Sequence, residues 1–71
     1  MSYVNDFIIH FKLLRFKSIT LRESIDFIGD SHPWRTIKVL EGRDWEFKRQ
    51  WEQKDNSSPR YYRYYCLKVG K

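Results

Sequence analysis

The sequence predicts a small α+β domain in which three short helices precede an antiparallel hairpin. Three observations carry that expectation. Apolar residues recur at three- and four-residue spacing as far as Leu40, and they alternate with polar ones from Trp45 onward. The two regimes meet at Gly42 with no Pro-, Gly- or Ser-rich linker between them. With 71 residues the chain has room for one core, which excludes a two-domain enzyme.

The first helix is expected over about 5–17. Val4, Phe7, Ile8, Phe11, Leu13 and Leu14 follow helical spacing, and Asn5 or Asp6 is available as a cap. A short extended piece, Ser18-Ile19-Thr20, follows. Thr20 stands three residues before Glu23, the T-x-x-E capping box that opens a second helix over about 21–28. Leu21, Ile25 and Ile28 form its inward stripe, and Gly29 takes the left-handed conformation that ends it.

Ser31 caps a third helix over about 32–41, with Pro33 in the first turn, where a missing amide costs nothing. Trp34, Ile37 and Leu40 face inward. His32, Arg35, Thr36 and Val39 lie opposite, with Lys38 on the flank, and Gly42 stops the helix. Strands are expected over about 45–52 and 60–69, around the polar turn Gln53 to Pro59. Trp45, Phe47 and Trp51 read as a core face. If odd positions of the last strand face inward, Tyr65, Leu67 and Val69 join the core, while Arg60, Tyr62 and Tyr64 stand outside.

Composition narrows the function classes. Thirteen aromatic residues supply the bulk a short chain needs, and 41% hydrophobic content argues against disorder. Cys66 is the sole cysteine, so neither an internal disulfide nor a cysteine zinc site can form, in keeping with a reducing, cytoplasmic setting. The most apolar stretch, residues 7–16, is interrupted by His10, Lys12 and Arg15 and is far shorter than a bilayer span of about 20 residues. It also lacks the pattern of a secretion signal, so no membrane partner is expected. A basic amphipathic helix lying on lipid is the competing reading of that stretch, set aside because the rest of the chain still needs a core.

The net charge of +5 is unevenly spread. Residues 1–44 carry seven basic and six acidic side chains, whereas residues 45–71 carry seven basic and three acidic. A cationic C-terminal third interleaved with Tyr and Trp is the composition expected of a nucleic-acid surface.

The order helix, extended piece, helix, tight turn, helix, hairpin resembles a winged helix-turn-helix domain over nearly the whole chain. Ile19 to Glu23 looks like the start of that family's second helix, Ser31 to Leu40 like its recognition helix, and Trp45 to Val69 like its wing. The short regulators of adhesin operons are similar in size, and many phage-borne or mobile-element regulators and excision factors share the plan. The resemblance implies a duplex-DNA binder used in transcription regulation or recombination. Ser31, His32, Arg35, Thr36 and Lys38 would read the major groove, and Lys54, Asn56, Ser57, Ser58, Arg60 and Tyr62 would lie on the backbone or minor groove. Glu41 and Asp44, at the end of the third helix, would repel phosphates there.

Two other readings compete with this one. Tyr61, Tyr62, Tyr64 and Tyr65 occupy both strand faces, so some rings meet water or a partner. That partner is a host or regulatory protein, a second copy in a homodimer, or single-stranded nucleic acid held by stacking. Arg49 and Arg63 are expected to lay their stems on aromatic faces. Catalysis is not expected, since no glycine-rich phosphate loop or spaced metal-ligand set occurs, and no cofactor is called for. Cys66 reads as an inert strand residue rather than a nucleophile.

Overall fold

The computed structural model describes residues 3–70, and its first element begins where the apolar spacing does. α1 (Val4–Ile8) runs without a break into a π-helical segment, Ile9–Leu13. The wider turn shows in the bond from Leu14 N to Ile9 O, 2.9 Å, five residues back. The chain then turns through Arg15, at φ 61°, into β1 (Ser18–Thr20). α2 (Leu21–Glu23) again widens into a π segment, Ser24–Ile28, closed by Gly29 at φ 92°. α3 (Pro33–Glu41) is the one helix with two full α turns, and it leads to β2 (Glu46–Glu52) and β3 (Tyr61–Lys68).

The π segments change which residues are buried. An extra residue per turn rotates the inward stripe, so Leu13 and Leu14 of the first helix are exposed while His10 is buried beside Phe7 and Phe11. In the second helix Ser24 is buried, and Leu21 and Ile25, expected inward, face out. Helix one also stops at Leu13 instead of reaching residue 17.

The winged helix-turn-helix expectation, three helices followed by a hairpin wing, is overturned, although the α+β class stands. Ser18–Thr20 is a strand in its own right, and the sheet is three-stranded and antiparallel with order β1-β3-β2. β3 is therefore the central strand of a sheet with a helix-side face, not one arm of a free wing. Ile19 lies opposite Tyr64 on one side, and Arg49 lies opposite Tyr64 on the other. A three-residue strand carries too little alternation to announce its pairing in advance.

That register decides the parity of β3. Ile19 is fully buried, so its partner Tyr64 shares the inward face at 6% exposure, with Cys66 half-buried beyond it. Leu67 and Val69 point out, the reverse of the expectation, and Tyr65 lies on the opposite face. The ladder slips between Glu46 and Phe47, where Leu67 is the extra residue.

Phe7, Phe11, Ile19, Ile37, Leu40, Trp45 and Tyr64 make the core. Phe11 packs edge-on against Phe47, with ring centres 5.4 Å apart. Strands of seven and eight residues span roughly 24 Å or more at ~3.4 Å per residue, against roughly 13 Å for the nine residues of α3. The hairpin thus outruns the helices that cover it, and Trp51, expected in the core, is 54% exposed. Among the described residues no helix is long and apolar enough to cross a membrane.

Candidate nucleic-acid interface

The outer face of α3 is set by how its start is tied down. Asp30 is buried, and its Oδ1 accepts from the His32 amide (2.9 Å) while its Oδ2 accepts from the Thr36 hydroxyl (2.8 Å). Ser24 Oγ donates to the Asp30 carbonyl at 2.7 Å. A carboxylate two residues ahead of the N-cap thus ties down the helix start through the cap residue's own amide, while the hydroxyl of Ser31, the expected cap, lies 3.0 Å from His32 Nδ1. This arrangement corrects the place of Thr36, which is buried at 7% exposure and bonded inward, away from the outer surface.

Pro33, Thr36, Ile37 and Leu40 form the buried face of α3. Arg35 and Lys38 lie near the middle of the opposite face, exposed and without an ion-pair partner among the described residues, flanked by Trp34 and Val39. Trp34 was expected inward; it is half-exposed and meets His32 edge-on at 5.2 Å. His32 is exposed at the start of this face.

Glu41 fixes the relation between α3 and the hairpin. Its carboxylate accepts from Arg49 Nη2 at 3.1 Å, and the same guanidinium stands 5.6 Å from the Tyr64 ring centre. The Glu41 carboxylate beside it holds the Arg49 guanidinium above its usual basicity. Trp34, about two turns before Glu41, shares its edge of the helix, so Arg49 of the hairpin meets α3 on that edge. The charge of Glu41, a liability for phosphate approach in the sequence, is thereby neutralised within the fold.

Along the same face of the hairpin runs a column of rings. Tyr64 is followed by Tyr62 at 6.1 Å and Tyr62 by Trp51 at 3.9 Å, the last two stacked with 26° between their planes. Tyr62 is 39% exposed and lies directly across the ladder from Trp51. Beyond it, Lys54, Asn56 and Arg60 are exposed, with no ion pair to either cation among the described residues.

Ser57 and Ser58 turn out to be engaged locally. Asp55 Oδ1 accepts from the Ser57 amide, the Ser57 hydroxyl and the Ser58 hydroxyl at 2.8–2.9 Å. These donors, the Ser57 hydroxyl foremost, hold the Asp55 carboxyl below its ordinary range. The turn is thus self-satisfied.

The opposite sheet face is an anchor. The capping box is present, with Glu23 N donating to Thr20 Oγ1 (3.1 Å) and Thr20 N to Glu23 Oε1 (3.0 Å). Arg63 joins it, donating to Glu23 Oε1 (3.1 Å), Ser18 Oγ (3.1 Å) and Glu52 Oε1 (2.9 Å), so its head is held by two carboxylates and a hydroxyl. Tyr65 OH donates to Glu52 Oε2 at 2.6 Å. That bond and the one from Arg63 hold the Glu52 carboxyl below its usual range, and the Tyr65 phenol is correspondingly raised.

A second exposed region lies between the first two helices. His10 stacks on Phe16 at 4.5 Å, and its Nε2 is 3.3 Å from the Ser18 carbonyl, so that nitrogen carries the proton. With Leu14, Phe27 and Ile9 these rings line a groove of about 540 Å³. Burial pushes the Cys66 thiol up, away from nucleophilic use. Among the described residues no three His, Cys, Asp or Glu side chains converge as metal ligands.

Of the predicted contacts, Arg35, Lys38, His32 and Ser31 gather on or beside the outer side of α3, and Lys54, Asn56, Arg60 and Tyr62 on the hairpin. The ion pair of Arg49 with Glu41 and the outward position of Trp51 were missed. The signal available was strand length against helix length. No protein-family model, curated protein or solved structure matches the chain.

Proposed function

We propose that the protein binds duplex DNA as a small sequence-selective regulator or architectural factor of the cytoplasm. Arg35 and Lys38 address base edges in the major groove, and Lys54 and Arg60 meet backbone phosphates. One observation supports this above the others: Arg35 and Lys38, without an ion-pair partner among the described residues, sit near the middle of the outer face of α3, while the opposite face of that helix is locked into the core. A helix of roughly 13 Å with two cations outward suits a groove about 12 Å wide.

Selection of bound oligonucleotides from a random duplex pool, followed by anisotropy titration, tests the reading. Neutralising about four phosphates gives a log–log salt slope of about −4. Arg35→Ala relaxes sequence preference, whereas Lys54→Ala and Arg60→Ala weaken all duplexes alike. Equal losses on selected and random DNA for Arg35→Ala would remove that residue from base reading.

The exposed Leu13, Leu14, Phe16 and Phe27 favour a second reading, a protein-interaction surface on the first two helices for a host protein or a second copy. No duplex binding at low salt together with a stoichiometric protein complex selects it.

A further inference from the structure

The ring column Tyr64, Tyr62, Trp51 begins in the core at Tyr64, with Arg49 over that ring, and ends in solvent at Trp51. Each member but the last is flanked on both sides: Arg49 stands between Glu41 and the Tyr64 ring, Tyr64 next to Tyr62, and Tyr62 next to Trp51. Trp51 stacks on Tyr62 through one face, and among the described residues no other ring packs against it. The largest aromatic surface in the column is thus left open at its end, on a side chain 54% exposed.

A cross-strand aromatic pair stabilises a sheet wherever it sits, and that role alone accounts for Trp51 meeting Tyr62. It does not account for the surroundings. Lys54 follows Trp51 by three positions and Arg60 precedes Tyr62 by two, both exposed and, among the described residues, unpaired in charge. Asp55, the acid between them, has one carboxylate oxygen occupied by three donors from Ser57 and Ser58. An exposed π face with two exposed cations within a few positions of its ring pair matches the chemistry of a nucleotide, whose base stacks and whose flanking phosphates are anionic.

An intact duplex offers no free base face along its length. We infer that the preferred ligand is a junction between double and single strands, with the duplex arm on α3 and the first unpaired base stacked on the outer face of Trp51. This rests on the duplex reading above and adds the structure of the DNA end to it. Lys54 and Arg60 then hold the phosphates on either side of that base.

The test compares three fluorescent DNAs of one sequence by anisotropy: a blunt duplex, the same duplex with short unpaired tails, and the tail strand alone. The tailed duplex binds about tenfold tighter than the blunt one, the gain expected from one stacked base. Trp51→Leu reduces that ratio to near one, and Trp51→Phe restores most of it, a distinction that sheet stabilisation alone does not produce. Tailed DNA also quenches tryptophan emission in the wild type more than in Trp51→Phe, and circular dichroism verifies that each variant is folded. Equal affinity for blunt and tailed duplex overturns the junction inference and leaves duplex binding intact. Single strand binding as tightly as the tailed duplex also overturns it, and no binding to any of the three DNAs at low salt removes both readings.

Discussion

Arg63 Nη1 donates to Glu23 Oε1 at 3.1 Å, joining the middle of β3 to the capping residue of α2 across forty positions of sequence. The same guanidinium reaches Glu52 on β2 and Ser18 on β1, so a single side chain ties together all three strands and a helix. It stands only partly in solvent, where charged hydrogen bonds keep more of their strength than at an open surface.

Arg63→Ala is expected to destabilise the fold by about 1–2 kcal/mol in urea titrations. A loss indistinguishable from that of the exposed Arg22→Ala, whose bridge to Asp26 lies at the surface, would show the node to be ornamental.

Thr20→Ala removes one half of the capping box and should cost about 1 kcal/mol, with Thr20→Ser recovering most of it. Unchanged stability of Thr20→Ala in thermal denaturation contradicts the cap.

Thr36→Val keeps shape but withdraws a buried donor from Asp30, at a cost of about 1–3 kcal/mol. Because that carboxylate also orients the start of α3, duplex affinity should fall along with the unfolding midpoint. A variant with lowered stability and undisturbed affinity separates the helix start from the binding face.

The Glu52 and Tyr65 pair makes stability depend on pH at both extremes. Glu52 titrates below its ordinary value in the fold, first through Tyr65 and then Arg63, so its contribution is complete above about pH 4.3 and is lost as pH falls through the depressed value. Tyr65 is raised, chiefly by the hydrogen bond to Glu52, so its contribution is complete below about pH 10 and is lost as pH rises through the raised value. Glu52→Gln should therefore narrow its stability gap to wild type in acid, and it should bring tyrosinate absorbance to lower pH. A gap constant with pH rules out the linkage.

Local chemistry was legible where it involved neighbours in sequence. Thr20 with Glu23, Gly29 in the left-handed region and Arg49 over an aromatic ring all follow from residue types a few positions apart or from strand parity. Long-range register was not. The inward set of β3 depends on Ile19 of a three-residue strand, and one step of register exchanges Tyr64 for Tyr65. The π turns were equally hidden, because a helical spacing count does not distinguish Ser24 from Ile25 once the turn widens.

The candidate interface divides the same way. Arg35 and Lys38 were readable from helical spacing, whereas Thr36 was claimed by a carboxylate six residues earlier and the serines of the turn by Asp55. Short polar side chains bond whichever partner is closest in space, so their exposure is harder to read than that of long cations.

The clasp of Glu41 on Arg49, braced by the Tyr64 ring, has a mechanical meaning for any elongated ligand that touches both α3 and the hairpin. It acts as a rivet at the seam between helix and sheet. Because both of its side chains stand well in the open, it guides how helix and hairpin approach each other rather than locking them.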